Sequence, residues 1–239
     1  MINEASTRTI SRLTGIFYLT VIVGGVFAQG FISESLVNFR DAGATASNIL
    51  ANKTLYRTGY TVFLIEMSAQ FVTSVLFYFL LRPVSRPVAL VATVLSLSGA
   101  LIKTVARVFF LVPIGVLSNA TTLSGFTAEQ VNSLVLLVLR MNNDGATVAL
   151  AFFGPSTVLH GWLIMRSGFL PKWMGIMSMI GGVLWTTYFW PPLGRSLFMV
   201  SALFALASVI IISGWLIIFG VDDKRWRELV VARGSSIWR

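Results

Sequence analysis

The chain has no cysteine and a single histidine, His160. The first absence excludes disulfides, thiolate metal centres, iron–sulfur clusters and cysteine nucleophiles. The second excludes a multi-histidine metal site. Charge is scarce as well: Asp, Glu, Lys and Arg make up 11% of 239 residues, while 56% are apolar. Ordinary globular domains carry roughly a quarter charged residues. So few charges cannot cover a water-facing surface. A disordered chain, a nucleic-acid-binding module and most soluble enzymes are therefore excluded, in spite of a net charge of +9. Two further features are missing. There is no period-2 alternation of the kind a β-barrel needs. There is also no Gly-x-Ser-x-Gly, P-loop, His-Glu-x-x-His or paired-aspartate motif. No catalytic residue, metal site or cofactor is expected, and an intramembrane enzyme using Glu66 or His160 as a base is the weakest of the functional readings.

What the chain does have is long apolar runs. A membrane-crossing helix needs about 20 mostly apolar residues, and six stretches qualify or nearly do: residues 13–32, 60–81, 88–111, 146–165, 173–190 and 197–219. The fifth is short and is stopped by Pro191-Pro192. The first is longer than a signal-peptide core, so it is expected to stay in the protein despite the cleavage-like Val26-Phe27-Ala28. The fold expected is an all-α polytopic membrane protein, a single integral membrane domain with six transmembrane helices. Lys and Arg near the span ends set the orientation. With the N-terminus inside, the inner segments carry Arg8, Arg12, Arg82, Arg86, Arg166, Lys172, Lys224, Arg225, Arg227, Arg233 and Arg239. The outer segments carry only Arg40, Lys53, Arg57, Arg140 and Arg195. Both termini are expected in the cytoplasm, the protein in the inner (plasma) membrane, and residues 222–239 as a basic tail whose tryptophans suit an anionic membrane surface.

Thr127-Ala128-Glu129-Gln130 reads as a capping box. The apolar core that follows it, Leu134 to Leu139, is too short to cross. Thr127 to Arg140 is therefore expected as an extra outer-surface or partly embedded helix, leading into the fourth span through Asn142-Asn143-Asp144-Gly145. Two tight turns, Leu81-Arg82-Pro83-Val84 and Met165 to Pro171, make antiparallel hairpins of spans two and three and of spans four and five.

Several strings together resemble a known family. They are Arg12-Leu13-Thr14-Gly15 before Tyr18, Asp41-Ala42-Gly43-Ala44-Thr45-Ala46-Ser47-Asn48-Ile49-Leu50, and Leu81-Arg82-Pro83-Val84. To these are added Phe152-Phe153-Gly154, Gly161-Trp162-Leu163, Arg166-Ser167-Gly168-Phe169-Leu170-Pro171 and Gly175. The family is the bacterial membrane-protein family of domain of unknown function 4386, and the resemblance runs from about Arg12 to Phe219. It implies a six-span integral membrane protein and no particular activity. One departure lies in the third span, where the family leads us to expect an Arg nearer the start than Lys103 and Arg107.

Ionised groups inside a span cost several kcal/mol unless paired or hydrated. Glu66 lies sixteen residues from Arg82 and Lys103 sixteen from Pro87, so both stand roughly 24 Å from the shared turn. They are expected at one level on neighbouring helices. Arg107 follows one turn further out on the face of Lys103, with Asp144 near its depth. Gln29, Gln70, Asn142 and Asn143 complete a polar layer, and Arg40, Asp41, Thr45, Asn48 and Arg57 lie in the loop above. Two readings stand side by side. In one, Gln29, Glu66, Lys103, Arg107, Asp144, Arg40, Asn48 and Arg57 belong to a hydrated, outward-facing cavity for an anionic or zwitterionic ligand, a lipid headgroup or small acid. In the other, Glu66–Lys103 is a structural pair and Arg107 snorkels to the interface. Asp41 has a simpler role as a helix N-cap. His160 is expected to be hydrogen-bonded rather than catalytic. The functional expectation is a ligand- or lipid-binding, sensing or accessory membrane protein, with the bilayer and a second membrane protein or another copy as partners. A small solute transporter is the alternative.

Overall fold

The computed structural model describes residues 7–119 and 123–234. These residues are helical almost throughout. In chain order the helices are α1 (Thr7–Gly25), a π-helical stretch (Val26–Ser33), the single turn α2 (Glu34–Leu36), α3 (Ala42–Ala51), α4 (Lys53–Leu81), α5 (Arg86–Ser118) and α6 (Ala128–Ser167). They continue with α7 (Lys172–Thr186), a 3₁₀ turn (Thr187–Phe189), α8 (Pro191–Ser196), α9 (Phe198–Ile218) and α10 (Asp223–Gly234). Among the described residues, five helical stretches are long and apolar enough to cross a membrane: Thr7–Leu36, Lys53–Leu81, Arg86–Ser118, Ala128–Ser167 and Phe198–Ile218. The chain is a multi-pass membrane protein.

The long helices form a ring in which α1 packs on α4, α4 on α5, α5 on α6, α6 on α7, α7 on α9 and α9 on α1. Their outer faces carry the apolar stripe that lipid requires. On α5 it runs through Val91, Val94, Leu101, Val105 and Val108, each about half exposed and spaced near helical period. Two packed clusters bracket the ring. The turn end, where α4 meets α5 and α6 meets α7, is filled by Phe77, Leu80, Leu81, Leu163, Ile164, Phe169, Met174, Ile212 and Leu216. The opposite, cap end is filled by Ile32, Leu36, Ile49, Tyr56, Phe63, Phe110, Ile114 and Leu139. Helix α3 lies in this cap, started by Asp41, whose Oδ1 accepts from Ala44 N at 2.8 Å. The turn end also gathers both ends of the described chain. Ser11 Oγ on α1 donates to Leu216 O at 3.2 Å, and Trp226 on α10 donates to Leu80 O at 2.9 Å.

Two expectations need correction. Thr127 to Arg140 is not a separate surface helix, because α6 runs unbroken for 40 residues, about 60 Å at 1.5 Å per residue. The capping box is present, with Thr127 Oγ1 accepting from Gln130 N and Gln130 Oε1 from Thr127 N. The polar run after it does not break the helix, because its groups find partners on neighbours. Asn142 bonds Arg107, Asp144 bonds Arg195, and Gly145 lies where a Cβ would come within 2.6 Å of Ala106 Cβ. What reads as a loop signal is a helix–helix contact. The fifth stretch is helical as α7 for only 15 residues before the 3₁₀ turn and the Pro191-Pro192 start of α8. In the basic tail, α10 occupies Asp223–Gly234, and Trp238 and Arg239 lie outside the described residues.

Helix α7 follows α6 at backbone contact. A Cβ on Gly161 would stand 2.6 Å from Gly175 O, and one on Gly175 would stand 2.5 Å from Gly161 O. Gly182 meets Val158 and Gly154 meets Thr186 in the same way. Helix α7 therefore ends level with Gly154, about 15 Å short of Asp144 along α6.

Candidate functional site

Inside the ring is a cavity of about 770 Å³, within the 300–1,000 Å³ typical of small-molecule sites. Its polar wall is built by α4, α5 and α6. On α4 the lining positions are Glu66, Gln70, Thr73, Ser74 and Phe77, all buried except half-buried Gln70. Glu66 Oε1 accepts a hydrogen bond from Lys103 Nζ on α5. The carboxylate side chain is 2% exposed and the ammonium side chain 18%, so the cation is the accessible member of the pair. Helix α1 passes close by at Gly24-Gly25, where a Cβ on Gly25 would stand 3.2 Å from Glu66 Oε1. The chain widens into its π-helical stretch directly afterwards, a departure that often marks functional helices.

Arg107 does not reach for the interface. It is 2% exposed, its Nη1 donates to Asn142 Oδ1 at 3.0 Å, and its Cζ sits 3.6 Å from the centre of the Phe63 ring. The snorkelling reading is thereby corrected: a neighbouring amide and an aromatic face hold the guanidinium inside. Its Nε and Glu66 Oε2 are buried without hydrogen-bond partners among the described residues. Glu66, Lys103 and Arg107 thus set two cations against one carboxylate.

Further toward the turn end, Gln70 Nε2 donates to Ser96 Oγ at 3.3 Å and Ser74 Oγ lies 2.7 Å from Ser96 Oγ. Ser156 Oγ on α6 donates to Ala92 O at 2.8 Å and lies 3.4 Å from His160 Nδ1. His160 rests against Phe77, with ring centres 5.2 Å apart. The opposite wall is apolar, made by Val21, Ile22 and Val26 of the first helix and by Phe198, Leu203, Leu206, Val209 and Ile212 of α9. Exposed Glu34 and Arg195 mark the mouth at the cap end. Helices α1 and α9 touch tightly near the turn end, where a Cβ on Gly15 would stand 2.8 Å from Ser213 O. Toward the cap end, Val26, Gly30, Phe198 and Leu203 line the cavity and are exposed.

The eight residues singled out from the sequence divide. Glu66, Lys103, Arg107 and Gln29 line the cavity. Asp144 is exposed at the cap end and pairs with Arg195 at 3.2 Å instead of with Arg107. Depth counting puts it at the right height, but helix rotation gives the contact to Asn142. Arg40, Asn48 and Arg57 do not line the cavity. Arg40 is exposed, and its backbone N–H donates to Asn38 Oδ1. Asn48 Nδ2 donates to Leu36 O at 3.4 Å, tying α3 to the cap, and Arg57 is exposed on the first turns of α4. Sequence reasoning misses Thr73, Ser74, Ser96, Ser156 and Arg195. Serines and threonines in a span carry no periodic signal of their own, although Ser74 and Ser96 lie on the inward stripes that Glu66 and Lys103 define.

The model of the family described as domain of unknown function (DUF4386) matches residues 13–220. No curated protein and no solved structure matches the chain. The chain belongs to the DUF4386 family.

Proposed function

We propose that this DUF4386 protein crosses the plasma membrane six times, with both termini cytoplasmic, and binds an anionic amphiphile in its intramembrane cavity. The observation that carries the reading is the pairing of two unlike walls. One holds Glu66, Lys103 and Arg107 with a surplus positive charge, and the other is the apolar face of α9. A buried cation surplus favours an anion strongly where little water screens it. An apolar wall favours a chain over a compact polar solute. The exposed apolar lining residues Val26, Phe198 and Leu203 support access from the bilayer. The packed cluster of Phe77, Leu80, Leu81, Leu163 and Ile164 closes the turn end, which supports a binding site over a through-path for a transported solute. The short α7 makes the fifth crossing because it starts at the turn end and α9 returns from the cap end.

The test is titration of the protein in lipid nanodiscs with dodecanoate and with dodecanol, which has the same chain and no charge. Dodecanoate should bind saturably and dodecanol about tenfold more weakly, a difference of one buried charge contact. Charge variants separate a ligand site from a structural pair. Glu66→Gln raises the cation surplus and should tighten dodecanoate binding, while Lys103→Met removes it and should weaken binding. A purely structural pair has no reason to move binding in opposite directions. Equal affinity for acid and alcohol, or affinities that fall alike in both variants, would overturn the reading.

A further inference from the structure

The deep end of the cavity contains a second polar feature that the charged cluster does not use. His160 is 9% exposed, lines the cavity, and its Nε2 is buried without a hydrogen-bond partner among the described residues. The other ring nitrogen settles what Nε2 has to offer. Ser156 has one hydroxyl proton and gives it to Ala92 O at 2.8 Å. Toward His160 Nδ1, at 3.4 Å, the same oxygen acts as acceptor, so Nδ1 carries the hydrogen. In the neutral ring Nε2 then presents a lone pair and no proton. A buried acceptor left without a donor costs free energy that a donor arriving with a ligand recovers. Thr73 Oγ1, one helical turn before Phe77, is likewise buried, unpartnered and on the cavity wall.

The distance to the charged cluster follows from α4. Glu66 contacts Lys103 and Phe77 contacts His160. These α4 positions are eleven residues apart, about 16 Å along the helix. Between them the facing wall, from Leu203 to Ile212, is apolar.

We infer that the cavity has two poles and that its ligand is an anionic amphiphile with a hydrogen-bond donor, a hydroxyl or N–H, near the far end of its chain, donated to His160 Nε2. This inference rests on the anionic-amphiphile reading and adds the chemistry of the distal group.

The experiment compares dodecanoate with ω-hydroxydodecanoate, which has the same head and chain with a hydroxyl at the far end. Both are titrated into the protein in nanodiscs, with empty discs correcting for partition into lipid. The hydroxy acid should bind about tenfold more tightly, the value of one hydrogen bond to a buried group that otherwise has none. His160→Phe keeps an aromatic ring against Phe77 and removes the acceptor. It should abolish that preference, so that the two acids bind the variant with equal affinity. The chain's single histidine gives a direct readout in untagged, ¹⁵N-histidine-labelled protein. The free protein should show a protonated Nδ1 and an unprotonated Nε2, and only the hydroxy acid should shift the Nε2 resonance as a hydrogen-bond acceptor. Equal affinity of the wild type for the two acids overturns this inference alone. So does a preference that survives in His160→Phe, or an Nε2-protonated free ring. Binding of neither acid overturns the anionic-amphiphile reading and this inference with it.

Discussion

Lys103 and Glu66 carry two kinds of consequence that substitution can separate. As a pair they hold α4 and α5 together in a medium that penalises a lone charge. Removing one partner from a buried pair typically costs about 3–5 kcal/mol, whereas removing both leaves only a polar gap. Glu66→Gln and Lys103→Met should each lower the thermal unfolding midpoint more than the double change does, as read by scanning fluorimetry in nanodiscs. A double variant as unstable as the sum of the singles would show that the two side chains do not stabilise each other. Stability should therefore fall in both single variants, while dodecanoate affinity moves up in one and down in the other. The height of this pair is legible in the sequence, because a tight turn makes residue counts from it into depths. The partners of Arg107 and Asp144 are not legible, because counting residues gives height and leaves open which way a side chain points around its helix. That rotation is set by the close approach of Gly145 to Ala106, which turns Asn142 inward and Asp144 outward.

At the scale of elements, α6 and α7 pack through small residues that bring their backbones together, as membrane helices do when apolar burial alone gives no driving force. Gly161 and Gly175 are reciprocal, each lying against the carbonyl of the other. Gly161→Val places a branched side chain where the partner oxygen stands 2.6 Å from a Cβ. It should therefore separate the two helices at a cost of at least about 1–3 kcal/mol, the usual range for overpacking. Gly115 on α5 provides the contrast, since a Cβ there meets nothing within 4 Å. Gly115→Ala should be neutral or stabilise by up to about 1 kcal/mol through helix propensity. Unfolding midpoints of the two variants check both signs, and equal effects would contradict the packing argument. The long helices were legible as apolar runs, and Asp41 and Thr127 as caps. The unbroken course of α6 was not, because Asn142-Asn143-Asp144-Gly145 is a turn signal in any local reading and becomes helical only through its partners on α5 and α8.

For the whole molecule, the ties of α1 to α9 and of α10 to α4 bring the two ends of the chain to the turn end. With the excess of Lys and Arg there, this end should face the cytoplasm. The absence of cysteine makes single-cysteine labelling clean. Thr54→Cys, exposed at the cap end, should react with an impermeant maleimide in intact cells. Glu228→Cys, exposed on α10, should react only after the membrane is opened. The reverse pattern would invert the topology. Labelling of both from outside would place the two ends of the ring on one side and refute a spanning arrangement.

The residues by themselves determined the solvent this protein lives in, the helical class, the positions of the long helices and the depth of Glu66 and Lys103. Each of these follows from one-dimensional quantities: apolar content, run length, and rise per residue. The tertiary structure decided the rest. It joined the polar run after Arg140 into one helix with the fourth span, stopped α7 level with Gly154, and buried Arg107 against Phe63 and Asn142. It also faced the charged wall with the apolar face of α9, more than ninety residues away in sequence from Lys103. These outcomes depend on which faces of different helices meet. That is a property of the packed ring, and no local stretch of sequence contains it.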